Sequence, residues 1–138
     1  MNKLHINLNI DPPTVTAQQK KIRIVNGRPI FYYPNDVKRA KQLLYANLLI
    51  QRPQEPFECP VELRTIWRFR PGKTHKNNEW RSTKPDTDNL QKLLKDCMTD
   101  TGYWKDDALV VKETVEKYWS DTPGIEIEIT ALMHLRED

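Results

Sequence analysis

Residues 84–92 read Lys-Pro-Asp-Thr-Asp-Asn-Leu-Gln-Lys, and residues 104–107 read Trp-Lys-Asp-Asp. Asp86 and Asp88 stand two apart, a spacing that sends both carboxylates to the same side of an extended backbone. Helical spacing follows, and it puts Lys92 one turn beyond Asp88 on the same helix face. A second acidic pair, Asp106 and Asp107, arrives once the helical pattern has run out. Hard cations such as Mg²⁺ bind through a few carboxylates, completed by water and phosphate oxygens. A D-x-D pair, a neighbouring lysine and a returning aspartate are therefore residue types suited to metal-assisted cleavage of a phosphodiester.

The elements around these residues follow from periodicity. Leu4, Ile6, Leu8 and Ile10 alternate with polar residues, which predicts a half-buried strand stopped at Pro12-Pro13. Ile22 to Val25 and Ile30 to Tyr33 flank Asn26-Gly27, a hairpin signal because that pair accepts positive φ; Pro29 makes the returning arm an edge strand or a late-starting one. From a cap at Asn35 or Asp36, the spacing of Val37, Ala40, Leu43, Leu44, Asn47 and Leu48 predicts a helix to about Gln51. Prolines 53, 56 and 60 mark a linker. Val61, Leu63, Thr65, Trp67 and Phe69 then alternate with Glu62, Arg64, Ile66, Arg68 and Arg70, a strand with arginines on one face. Residues 71–85 are expected to be a mobile loop, in which Trp80 could stack on a base or dock on the body, with docking favoured. Leu90, Leu93, Leu94 and Cys97 form the core face of a second helix, capped by Asp88 or Asn89 and ended by Gly102. Residues 109–119 read as a strand, and Ile125, Ile127 and Ile129 as another. The expected class is α+β, with a small, largely antiparallel or mixed sheet and two principal helices.

At 138 residues the chain fits one domain, 1–138. No apolar run reaches the length of a membrane span, and the first residues do not read as a signal peptide. Cys59 and Cys97 lack metal-ligand spacing and suit a reducing, cytoplasmic setting; His5, His75 and His134 make no zinc pattern. The net charge of +3 is unevenly spread. Residues 1–84 hold 16 Lys and Arg against 6 Asp and Glu, whereas residues 85–138 hold 6 against 13. Arg64, Arg68, Arg70, Lys73, Lys76, Arg81 and Lys84 lead into the D-x-D pair with only Glu79 opposing them. Such a cluster suits the phosphates of a nucleic acid, although a solvated strand and loop would carry the same residues.

Two acidic motifs are excluded. Counted from Asp86, an EF-hand loop needs glycine where Gln91 stands. A linear PD-(D/E)xK site needs an acid two residues before a lysine, and those positions hold Leu90, Leu93, Tyr103, Val110 and Val115. A purely structural reading, with Asp88 capping the helix and Asp106-Asp107 forming a turn, accounts for each acid singly but not for the basic cluster beside them.

The run Pro85-Asp86-x-Asp88-Asn89-Leu90-Gln91-Lys92, then Gly102-x-Trp104-x-Asp106-Asp107 with Val110 and Val111, resembles the signature of the RusA family of Holliday junction resolvases. The close resemblance spans residues 85–111. It implies a Mg²⁺-dependent endonuclease, with Mn²⁺ as an alternative ion, that nicks branched DNA such as a four-way junction symmetrically. It also implies Asp86, Asp88 and Asp107 as the essential, metal-holding carboxylates and Lys92 as the catalytic lysine. Asp106 would be an accessory acid and Asn89 an orienting residue. A homodimer is implied as well, since two symmetric nicks suit a two-fold pair of sites. Small resolvases of this kind are often carried by phages or prophages. Two other readings stay open: a non-catalytic junction-binding protein, and a nuclease for flaps or single strands.

Overall fold

The computed structural model describes residues 2–16, 21–32 and 35–135. In chain order these form β1 (Lys3–Leu8), β2 (Lys21–Val25), β3 (Arg28–Tyr32), α1 (Asn35–Ile50), β4 (Val61–Phe69), α2 (Thr87–Asp100), a short 3₁₀ turn (Asp107–Leu109), β5 (Val110–Trp119) and β6 (Gly124–Ala131). The main sheet has the order β1-β6-β4-β5; β6 is antiparallel to both neighbours, and β4 runs parallel to β5. The α+β expectation holds, with a mixed sheet. β2 and β3 pair separately as a hairpin, and Asn26 and Gly27 at its turn take φ of 52° and 76° as the Asn-Gly signal requires. Tyr33, expected at the end of the returning arm, lies outside the described residues.

Alternation decides which face of the sheet is covered. Leu63, Trp67 and Phe69 of β4, with Ile125, Ile127 and Ile129 of β6, are buried against Leu44 and Leu48 of α1 and Leu90, Leu93, Leu94 and Met98 of α2. Burying each side chain of this size contributes roughly 1.5–3 kcal/mol relative to leaving it in water. The other face of the sheet carries cross-strand charge pairs, among them Arg64–Glu116 at 3.7 Å, Arg68–Glu126 at 3.5 Å and Lys3–Glu128 at 3.2 Å. Leu43, expected on the core side of α1, is 42% exposed; Leu44 and Leu48 do the packing there, and the buried Tyr103 hydroxyl donates to the Leu48 carbonyl.

The end of α2 conforms to its sequence signal. Gly102 has φ 88°, the Tyr103 N–H bonds to the Met98 carbonyl, and the Gly102 N–H bonds to the Thr99 carbonyl. This closure of the last turn needs a left-handed residue just past the helix.

Residues 71–85 depart from the expected mobile loop. The backbone N–H groups of Asn78 and Arg81 donate to the carbonyls of Trp119 and Lys117, and the Trp119 N–H donates to Glu79. β5 is an edge strand, so its outer backbone groups need partners, and this segment supplies them. Trp80 docks as expected, its ring 4.3 Å from that of Tyr118, yet 63% of it stays exposed. Among the described residues no helix is long and apolar enough to cross a membrane.

Both cysteines are free, Cys59 half-buried and Cys97 buried. Loss of hydration pushes the Cys97 thiol up to about 11, so it stays protonated at pH 8. Cys97 is therefore expected to resist a thiol reagent at pH 8 in the folded protein and to react once the chain is denatured. Labelling followed by mass spectrometry checks this; rapid modification of folded Cys97 would contradict the packing described.

Candidate active site

The helix that carries the D-x-D pair begins at Thr87, with Asp86 as its N-cap at φ −71°, ψ 151°. This corrects the expectation that Asp88 or Asn89 caps α2. Asp88 lies inside the first turn and Asp86 just outside it, so the two do not share one extended segment. The Asp86 side chain makes no capping hydrogen bond, which leaves its carboxylate unspent by the helix. Asp106 behaves differently. Its Oδ1 accepts from the Ala108 N–H at 2.9 Å and caps the 3₁₀ turn that begins at Asp107. Asp106 thus shapes the turn that presents Asp107.

Between α2 and β5 lies a cleft of about 540 Å³ lined by Asp88, Gln91, Lys92, Lys95, Asp107 and Glu113, with Val115 at its wall. Three of the residues singled out from sequence, Asp88, Lys92 and Asp107, therefore share one cleft. Asp86 and Asn89 are not among its lining residues; Asn89 is half-buried in the first turn of α2.

Sequence reading missed Lys95, Glu113, Gln91 and Lys117 here. Glu113 lines the cleft and pairs with Lys95 at 2.6 Å. Gln91 is buried, and its amide oxygen accepts from the Thr65 hydroxyl at 2.9 Å, which itself accepts from the Trp67 indole N–H at 3.1 Å. An indole N–H only donates, so Thr65 spends its one hydrogen on Gln91, and the amide orientation is fixed. The Gln91 Nε2 is buried without a partner among the described residues. Lys117, the fourth, donates to the carbonyls of Thr83 at 2.8 Å and Pro85 at 2.7 Å, directly before Asp86. Burial and the neighbouring Arg81 guanidinium hold its ammonium below the ordinary lysine range, and Asp86 works against them. The one available signal was the alternation of Glu113, Val115 and Lys117 along β5, which puts all three on one face.

Whether these groups suit a divalent cation is a matter of donor type and spacing. Among the described residues no three Asp, Glu, His or Cys side chains converge into a ready-made cage. The cleft does offer the hard oxygens of Asp88, Asp96, Asp107 and Glu113. Such a sparse set fits an ion that keeps several waters and takes its remaining ligands from phosphate.

The basic residues are dispersed. Arg64 and Arg68 point to the sheet face away from α2 and pair there with Glu116 and Glu126. Arg70 pairs with Asp11 at 3.2 Å. Lys73, Lys76 and Lys84 are exposed on the segment along the edge of β5. Arg81 lies over the rings of Phe69 and Trp119, 4.3 and 4.4 Å from their centroids, and its guanidinium donates to the Lys84 carbonyl.

A family model described as Endodeoxyribonuclease RusA matches residues 11–130. The chain belongs to the RusA family. A relative named crossover junction endodeoxyribonuclease rusA, from Lactococcus phage r1t, is 34% identical over 130 residues, covering 93% of this chain and 98% of the phage protein. Membership in the RusA family thus rests on far more than the signature at 85–111: the match takes in the hairpin, both helices and β4, β5 and nearly all of β6.

In this RusA-family chain the Trp67–Thr65–Gln91 relay is expected to matter for stability. Thr65→Val keeps the volume but strands the indole N–H and the Gln91 oxygen, and it should cost about 1–3 kcal/mol. Chemical unfolding measures this; an unchanged midpoint would mean the relay contributes nothing.

Proposed function

We propose that this chain is a Mg²⁺- or Mn²⁺-dependent endodeoxyribonuclease that resolves four-way DNA junctions by paired symmetric nicks. The observation that carries the reading is the meeting of Asp88, Lys92 and Asp107 in one cleft of a RusA-family chain. Asp88 and Asp107, with Asp86 at the head of α2, would hold the ion, and Glu113 adds a further carboxylate to the same cleft. A bound divalent ion supplies polarisation of a phosphoryl oxygen and a lower pKa for its water. Lys92, exposed on the helix face of Asp88, offers an ammonium to the charge that builds on the phosphate during displacement. Asp106 serves by fixing the turn before β5, and Asn89 by its place beside Asp88.

For DNA, exposed Arg70, Lys73, Lys76 and Lys84 are the groups best placed to meet phosphates, with Arg64 and Arg68 on the outer sheet face as further contacts. Phosphate contacts position a duplex arm without reading its sequence. A homodimer suits the reaction, because a two-fold axis presents two clefts to two symmetric strands. The phage source of the relative accords with a phage or prophage origin.

Asp88→Asn is expected to abolish cleavage of a synthetic four-way junction while leaving junction binding near that of the unaltered protein. Gel-shift and cleavage assays on the same preparation check both, with a flap and a linear duplex as competing substrates. Full activity in the variant would remove Asp88 from the chemistry. Faster cutting of the flap or of single strands would replace the junction as substrate.

A further inference from the structure

Asp86 has to be held in place without the aid of a capping hydrogen bond from its own side chain. From the helix side, its carbonyl accepts from the Leu90 N–H at 3.1 Å. On the other side, three successive carbonyls are taken up by two cations. Lys117 Nζ holds those of Thr83 and Pro85, and the Arg81 guanidinium holds that of Lys84. Arg81 is itself fixed over Phe69 and Trp119, and its backbone N–H bonds to the Lys117 carbonyl. The two cations thus stand side by side and partly out of water, an arrangement that like charges disfavour unless an anion is close. Asp86 is the residue that directly follows the pinned carbonyls. An ammonium has three N–H donors, and two of them go to the carbonyls.

We propose that Lys117 is the positioning residue for Asp86: its ammonium pins the carbonyls of residues 83 and 85, the lead-in to this acid, and so keeps its carboxylate available at the head of α2 to a cation bound with Asp88 and Asp107. The inference rests on the metal-dependent reading above and extends it to a residue on the far strand of the crossover. Outer partners of this kind orient a ligand, and their loss typically lowers metal affinity or activity about 10–100-fold. Lys117→Met keeps the length of the side chain and removes all three donors.

The test is a double-mutant cycle of Lys117→Met with Asp86→Asn, read by Mn²⁺ binding in calorimetry without DNA and by kcat and KM on a four-way junction. Circular dichroism and the unfolding midpoint report folding. Lys117→Met is expected to lower Mn²⁺ affinity and kcat about 10–100-fold with KM nearly unchanged. In the Asp86→Asn background the same substitution should add little. Equal losses in the two backgrounds, or unchanged Mn²⁺ affinity in a folded variant, would overturn the proposal and make Lys117 a structural tether only. Should Lys117→Met fail to fold, Lys117→Gln, which keeps one donor group, is read in the same cycle. If the unaltered protein neither binds Mn²⁺ nor cuts, the metal reading fails and this proposal with it. Binding and cutting with additive losses reject the role of Lys117 alone.

Discussion

Parallel pairing of β4 with β5 is the constraint on which the site depends. Parallel neighbours cannot be joined by a tight turn, so the chain must cross over, and α2 is that crossover. Its two joints are where the acids stand: Asp86 and Asp88 where the chain enters α2, Asp106 and Asp107 where it leaves for β5. Packing α2 on the sheet through Leu90, Leu93, Leu94 and Met98 leaves its opposite, polar flank beside β5. Residues some twenty positions apart, Asp88 and Asp107, line one cleft because of that single crossover.

The same geometry sorts the charges. β4 turns Thr65 and Trp67 inwards, where they fix the orientation of Gln91, and turns Arg64 and Arg68 outwards to glutamates of β5 and β6. The excess of positive charge in the first 84 residues is therefore partly neutralised across the sheet and does not all face the cleft. What remains near the acids is specific: Lys92 and Lys95 on α2, and the Lys117–Arg81 pair behind Asp86. Arg81 is an anchor as much as a candidate phosphate ligand, since its guanidinium already lies over two rings and holds a carbonyl.

Local patterns made much of this legible. Alternation identified β1, β4 and β6, Asn26-Gly27 the hairpin, and Gly102 the end of α2, because each depends on neighbours in sequence. Asp88, Lys92 and Asp107 were legible through their spacing. The cap was misread by two residues, since Asp86, Asp88 and Asn89 are all cap-forming types and only the backbone decides among them. Glu113, Gln91 and Lys117 were missed for a different reason. Their roles depend on β5 lying parallel to β4 with Thr65 opposite Val115, a register between residues fifty positions apart that no local pattern encodes. The ordering of residues 71–85 was missed likewise, because it follows from β5 being an edge strand.

In the proposed chemistry the acids at both joints of the crossover act together on bound metal. The most direct measurement is cleavage of a four-way junction by purified protein in Mg²⁺, in chelator, and with Asp107→Asn. Paired symmetric nicks are expected that need the ion and vanish with the substitution. Nicks that persist in chelator, or in Asp107→Asn at the normal rate, would contradict this chemistry.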